Sequence, residues 1–317
     1  MIRRCLMVAV LLCAVAAAPL YAQGRGRGQG EAQGQQGGNN NNVGMPWEPL
    51  RNAVMTPWEG HPFTDQKTEP FKVFDNIYYV GIETVGSYLI TTSAGLIMID
   101  STYAETADHV LESVRKLGFD PANIKYLIIT HQHNDHFAGA PRIKAAVPSL
   151  RVGVSAPDWD AVTKGTMIAR DLVINDGDTL KLGDTTLKFY VVPGHTVGNL
   201  VTEIQARGNG KSYKTLIGVA FAPAPRMTEA SIKSTERLKQ LGPWDALLTS
   251  HSYLAPVSLP LTAQQILAPA APDTRKATGH PSAQGPERIN AYFDQILKAT
   301  RDRLAREQAQ AAQPPTR

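Results

Sequence analysis

Residues 130–137 read Thr-His-Gln-His-Asn-Asp-His-Phe, and the three histidines and one aspartate packed into positions 131–136 decide how the chain is read. Imidazole nitrogens and carboxylate oxygens are the ligand types that a borderline divalent ion such as zinc prefers. The bland alternative is a polar loop in which histidines happen to cluster. Yet the chain holds only eight histidines, and these three follow directly on the apolar run Tyr126-Leu127-Ile128-Ile129. The end of a buried strand is where functional residues collect. In an extended segment His131 and His133 point the same way, whereas Asp135 and His136 must lie on the turn beyond it. One ion would not comfortably use all four, so the spacing suggests two ions, with the turn dividing the ligands between them.

The ends of the chain read differently from its middle. Met1-Ile2-Arg3-Arg4 followed by a short apolar stretch to Leu20 has the form of a secretory signal peptide over residues 1–22, with an uncleaved anchor as the rival reading. Pro19 and the shortness of the stretch favour export, and the expected location is periplasmic or secreted. Both cysteines, Cys5 and Cys13, fall in this leader. The remainder therefore has no thiol for a disulfide or a metal bond. Loss of Arg3 and Arg4 lowers the formal charge from +4 to +2, which leaves no electrostatic footprint for nucleic acid. Residues 23–42 are Gly, Gln and Asn with few charges and no large apolar group, as expected of a disordered linker. Its two Arg-Gly pairs are too few to indicate RNA binding. Residues 43–69, with Trp47, Trp58 and several prolines, are expected to form an extended N-terminal arm.

From residue 70 the pattern is that of a folded domain ending near 306, followed by a disordered tail over 307–317. Short strands are expected at 72–74, 77–80, 87–91 and 96–100. A helix then carries Val110, Leu111, Val114 and Leu117 on one face and stops at Gly118. A strand over 126–129, a helix over 141–147 and a strand over 152–154 complete the first half. The second half is expected to hold strands at 179–182, 187–192, 200–205, 213–219 and 247–249, with helices at 232–241 and from Pro286 onward. Strands followed by helices, twice over, predict an α/β (α+β) four-layer αββα sandwich with the site where the strand ends of both halves meet. Two further histidines follow strand-like runs: His195 after Tyr190-Val191-Val192-Pro193-Gly194, and His251 after Leu247-Leu248-Thr249-Ser250.

Here the ordered motifs resemble a known family. His131-Gln132-His133-Asn134-Asp135-His136 resembles the HxHxDH signature of the metallo-β-lactamase superfamily, and Pro193-Gly194-His195-Thr196 resembles its PGHT motif. Asn175-Asp176-Gly177-Asp178 is similar to the acidic-glycine turn between them, and Ile97-Met98-Ile99-Asp100-Ser101 to an early strand that ends in a structural aspartate. The resemblance implies a first zinc on His131, His133 and His195 and a second on Asp135, His136 and His251, two Zn2+ per chain. Relatives often add a cysteine or a bridging aspartate before the last histidine. The corresponding stretch, Ile217 to Pro223, offers neither. What remains most similar is the third subclass of class B β-lactamases, whose second zinc takes an aspartate and two histidines.

The resemblance then implies a secreted di-zinc hydrolase that opens the amide of small-molecule β-lactams with zinc-bound hydroxide, Asp135 orienting it as the catalytic carboxylate. A monomer with no stable membrane span after signal cleavage is expected. Serines that bind a substrate carboxylate in that subclass are replaced here by Ala220, Ala222, Pro223 and Ala224, so Arg226 is a candidate substitute. Ser252, Tyr253 and Tyr103 are further candidates for substrate contact. The segments 161–174 and 221–231 are short beside the lactamase loops, which suits a more open cleft. The alternatives are hydrolysis of another ester, lactone or thioester on the same fold, and a secreted binding protein that uses the fold as a scaffold.

Overall fold

The computed structural model describes residues 44–254, 280 and 282–312. They belong to a compact unit assigned to Asn40–Arg317. The expected signal peptide and linker, and residues 313–317 of the expected tail, lie outside the described residues.

The first half of the domain forms a seven-stranded sheet. Its strands are β1 (Phe71–Phe74), β2 (Ile77–Tyr79), β3 (Tyr88–Thr92), β4 (Gly95–Ile99), β5 (Ile124–Ile128), β6 (Arg151–Ser155) and β7 (Leu172–Ile174), side by side in chain order. Strands β1 to β4 pair antiparallel, and β4 to β7 pair parallel through helical crossovers. The second half forms a five-stranded sheet from β8 (Thr179–Leu182), β9 (Thr185–Val191), β10 (Leu200–Gly208), β11 (Lys211–Val219) and β12 (Ala246–Thr249), in the order β12-β11-β10-β9-β8.

Side-chain alternation explains why the sheets stack. Along β4, Ile97 and Ile99 join a core that also takes Phe189, Ile204, Ile217 and Leu248 from the second sheet. The intervening Leu96 and Met98 face the opposite way, toward Val110, Leu111 and Val114 of α2 (Ala107–Lys116) and Ile143 of α4 (Ala140–Ala146). The outer face of the second sheet presents Tyr190, Val201, Leu216 and Leu247 to Leu238 of α6 (Thr228–Leu241) and to Ile289, Phe293 and Ile296 of α7 (Pro286–Ala311). A strand buried on both faces requires apolar residues at successive positions, which is why β4 from Leu96 and the end of β5 from Leu127 read as continuous hydrophobic runs. The result is helix, sheet, sheet, helix, the four-layer arrangement expected from the sequence.

Three expectations are corrected. Residues 43–69 are not a wholly extended arm: Glu48–Met55 form a helix, α1, with Pro49 in its first turn, and Met45, Trp47 and Val54 are buried. Proline at a helix start costs nothing because that N–H has no intrahelical partner, a signal the reading of the arm overlooked. The stretch 161–174 is not a loop but contains most of α5 (Trp159–Thr166) and all of β7. The tail does not begin at 307, since α7 continues to Ala311. No helix among the described residues is long and apolar enough to cross a membrane.

Candidate metal centre

The six suspected ligands stand at the C-terminal ends of strands, on loops that β5, β9 and β12 deliver to one edge of the sandwich. His131 follows β5 by three residues, His195 follows β9 by four and His251 follows β12 by two. Crevices beyond the carboxyl ends of strands are where sheet proteins of this kind build sites. His133 has an extended backbone (ψ 144°) and is followed by a single turn of helix, α3 (Asn134–Phe137). The chain therefore changes direction between His133 and Asp135.

That reversal sorts the ligands into two groups. The donor atoms of His131, His133 and His195 lie within 4.8 Å of one another, as do those of Asp135, His136 and His251. The three rings of the first group stand edge to face, with centroids 4.6–4.8 Å apart. In the second group the His136 and His251 Nε2 atoms are 3.4 Å apart, and Asp135 Oδ2 lies 3.3 Å from the first and 3.5 Å from the second. The groups adjoin, because the His131 and His136 ring centroids are only 4.1 Å apart.

Hydrogen bonds behind the rings fix which nitrogen carries the proton. His195 Nδ1 donates to Ala222 O (2.7 Å) and His251 Nδ1 to Thr84 O (2.9 Å). His136 Nδ1 donates to Asp100 Oδ2 (2.8 Å). Thr130 has one hydroxyl proton and gives it to the same Asp100 oxygen (2.8 Å), so its oxygen accepts from His131 Nδ1 (2.9 Å). In His131, His195 and His251 the lone pair is left on Nε2, facing the other members of its group; His136 also turns Nε2 toward its group, and while no metal is bound Asp135 and Asp100 keep both its nitrogens protonated. Nε2 of His131 and Nε2 of His195 are buried with no hydrogen-bond partner among the described residues. A buried acceptor of this kind is costly unless something occupies it, and a divalent cation matches both the lone pairs and the nitrogen-rich donor set. The residues present therefore fit the expected metal.

The electrostatics agree. Burial pushes His131 well below the ordinary imidazole range, His133 down to about 3 and His195 and His251 to about 4, with neighbouring histidines adding to the effect. Burial would also lower His136, but Asp135 and Asp100 face it and raise it to about 10. Burial would raise Asp135; His136 and His251 opposite it prevail and hold the carboxyl well below the usual range. These shifts set a pH dependence for the metal-free protein. The lowered histidines stay neutral in the folded chain while their unfolded counterparts take up protons near 6.5, so acid favours unfolding from about pH 6.5 down to 4. His136 acts in the opposite sense: its contribution is complete below 6.5 and is lost as the pH rises toward 10. Thermal melts of chelator-treated protein should give the highest melting temperature near pH 6.5, with a decline on both sides.

The supporting residues were only partly visible in the sequence. Asp100 was expected as a structural aspartate. Its buried carboxylate accepts from Thr130 N (2.7 Å) as well as from the two side chains above, so it sets the tautomer of one histidine in each group. Gly218 sits at a bulge in β11 with φ +83°, and any Cβ there would collide with the Thr130 methyl. Only glycine suits both demands.

Asp158 was missed. It follows β6, is fully buried and accepts from Gln132 N (3.0 Å), Thr196 Oγ1 (2.7 Å) and Gly198 N (2.9 Å). One carboxylate thus ties the loop of His131 and His133 to the loop of His195. Burial raises its pKa, and these three donors hold the rise down. The signal was available, since Asp158 stands just past a strand end, as the ligands do. Asp158→Asn replaces an acceptor with an amide NH2 in front of a donor. It should cost about 1–3 kcal/mol, read as a lower melting temperature, together with weaker metal retention by the first group.

The four candidates for substrate contact are placed unequally. Tyr253 stacks on His251 (16°, centroids 5.0 Å). Tyr103 stacks on Phe63 of the N-terminal segment (3.8 Å) in a small cluster with Ile82 and Val85. Ser252 is buried and its hydroxyl donates to Glu83 O (2.8 Å), which commits it to holding a loop. Arg226 is exposed on a turn at φ +65°. The stretch from Ile217 to Pro223 adds no acid or thiol, and Val219, Ala220 and Phe221 there are buried.

Comparison with known proteins follows the same lines. Residues 81–208 match the family model of the metallo-β-lactamase superfamily. The native FEZ-1 metallo-β-lactamase of Legionella gormanii superposes with a TM-score of 0.65 at 26% identity, covering 77% of this chain and 98% of that one. BJP-1, a subclass B3 metallo-β-lactamase of Bradyrhizobium japonicum, gives 0.65 at 23% identity over 79% of this chain and 100% of that one, a likeness of fold. Among curated sequences, a hydroxyacylglutathione hydrolase of Cereibacter sphaeroides is 27% identical over 150 residues, which is 47% of this chain and 55% of the relative. The chain thus spans about half the length of the curated relatives it matches. Residues 81–208 thus carry a metallo-β-lactamase superfamily domain, and the two ligand groups and the shared sandwich resemble those of subclass B3 enzymes, which are among the structural neighbours.

Proposed function

We propose that this chain is a binuclear metallohydrolase acting on the amide of small β-lactam-like molecules. The observation that carries the reading is the donor set: three histidines in one group, Asp135, His136 and His251 in the other, and no acid or thiol from Ile217 to Pro223 to bridge them. Zinc is the metal that such a set suits, and when bound it would lower the pKa of water and polarise a carbonyl. His131, His133 and His195 would hold one ion and Asp135, His136 and His251 the other.

The protein's own residues supply the rest. Thr130, Ala222 O and Thr84 O keep Nε2 of His131, His195 and His251 unprotonated and aimed inward, and Asp100 holds the Nδ1 proton of His136 so that its Nε2 faces the second group. Asp135 stays ionised beside His136 and His251 and can accept a proton's hydrogen bond, which orients an attacking O–H toward the carbonyl. Tyr253 stacks on His251 and supports the face of that ring. The apolar leader before residue 22 supports export to the periplasm.

A second reading has its own support. The curated sequence matches include several hydroxyacylglutathione hydrolases, and the same constellation would serve a thioester. One panel separates the two: zinc-supplemented protein, with and without chelator, assayed on nitrocefin, a carbapenem and an S-acyl glutathione thioester. The proposal expects chelator-sensitive turnover of the β-lactams above that of the thioester. A metal-replete protein inert to both β-lactams but active on the thioester would overturn the amide assignment and leave the hydrolase.

A further inference from the structure

The loop between β11 and α6 carries Ala222 O, the acceptor that fixes the tautomer of His195. Phe221 to Arg226 form neither helix nor strand, so the position of that carbonyl depends on what grips the loop. Ala224 N donates to Gly194 O (2.8 Å), which ties the loop to the turn before His195. From the other side, Arg303 Nη1 donates to Pro223 O (3.1 Å). Arg303 is only 8% exposed, and its Nε donates to Glu307 Oε1 (2.7 Å). The same oxygen accepts from Thr228 Oγ1 (3.0 Å), at the first residue of α6. A guanidinium is expensive to bury unless its donors are met. Here the met donors span the loop, reaching Pro223 directly and Thr228 through Glu307.

From this we infer that Arg303 and Glu307, on the last turns of α7, are positioning residues for His195. They hold the Ala222 carbonyl where it keeps the proton on Nδ1 and the lone pair on Nε2. The sequence had assigned Glu307 to a disordered tail.

Arg303→Met removes the donors and keeps the aliphatic stem; Arg303→Lys restores one donor. The first readout needs no metal: the Nδ1–H resonance of His195 in the metal-free full chain, with the His251 Nδ1–H on Thr84 O as an internal control. In Arg303→Met the His195 signal should be lost to exchange while that of His251 persists, and Arg303→Lys should recover it in part. The second readout rests on the binuclear reading: zinc affinity of the His131, His133 and His195 group should fall about 10–100-fold, with the other group unchanged. An unchanged His195 signal in folded Arg303→Met, or equal loss of both signals, would overturn the inference. Should Arg303→Met fail to fold, Glu307→Gln carries the same test: faster exchange of His195 Nδ1–H alone supports the assignment, and no change rejects it. Failure of the zinc arm with a positive resonance arm would count against the binuclear reading and leave the positioning role intact.

Discussion

Substituting alanine at His131 or His251 should abolish hydrolysis while the chain remains folded. Each substitution removes one of three ligands from its group, and the remaining pair cannot close a site that needs at least three protein ligands. His131→Ala strips the first group, whose His131 and His195 Nε2 atoms are buried and unpartnered among the described residues. His251→Ala strips the second and also releases the ring on which Tyr253 stacks. Loss of turnover by at least about a thousandfold is expected, the scale on which metal activation of water operates, with circular dichroism unchanged. Substrate consumption by each variant, set beside its melting curve, checks this.

Asp100→Ala should do more damage to stability than either ligand substitution. Its carboxylate accepts from the Thr130 backbone, the Thr130 hydroxyl and His136 Nδ1, all buried. Removing one partner of a buried, hydrogen-bonded pair costs about 3–5 kcal/mol because the other is left unsatisfied. The consequence extends to both groups. His136 loses the acceptor that holds its Nδ1 proton and turns its Nε2 inward, and Thr130, relieved of its donation to Asp100, no longer dictates the His131 tautomer. The expected result is a lower melting temperature in the metal-free protein and poor metal retention at both groups. An Asp100→Ala protein that melts like the unaltered chain would show that Asp100 does not organise the centre.

His131, His195 and His251 were legible in the sequence because each stands shortly after an apolar run whose strand end fixes where the side chain goes, and His133, Asp135 and His136 because they cluster within five residues of His131. The pairing of Asp135 and His136 with a distant histidine was legible only through family resemblance, since nothing local to residue 135 points to residue 251. The sandwich was legible because β4, the end of β5 and the start of β12 are apolar at successive positions, as strands covered on both faces must be. What stayed hidden acts through the backbone or against local pattern. Ala222 O and Thr84 O orient two ligands, yet any residue supplies a carbonyl. Helix α5 packs through Trp159 and Val162 but is too short and too polar for its periodicity to stand out. The burial of Arg303 depends on a loop 80 residues earlier in the chain.

Metal content per chain tests the central claim most directly. Purified under zinc supplementation, the unaltered protein should carry roughly two zinc ions per chain, His131→Ala and His251→Ala should each carry about one fewer, and catalytic activity should follow the second ion. A folded protein that binds no zinc, or whose zinc content is untouched by both substitutions, would contradict it.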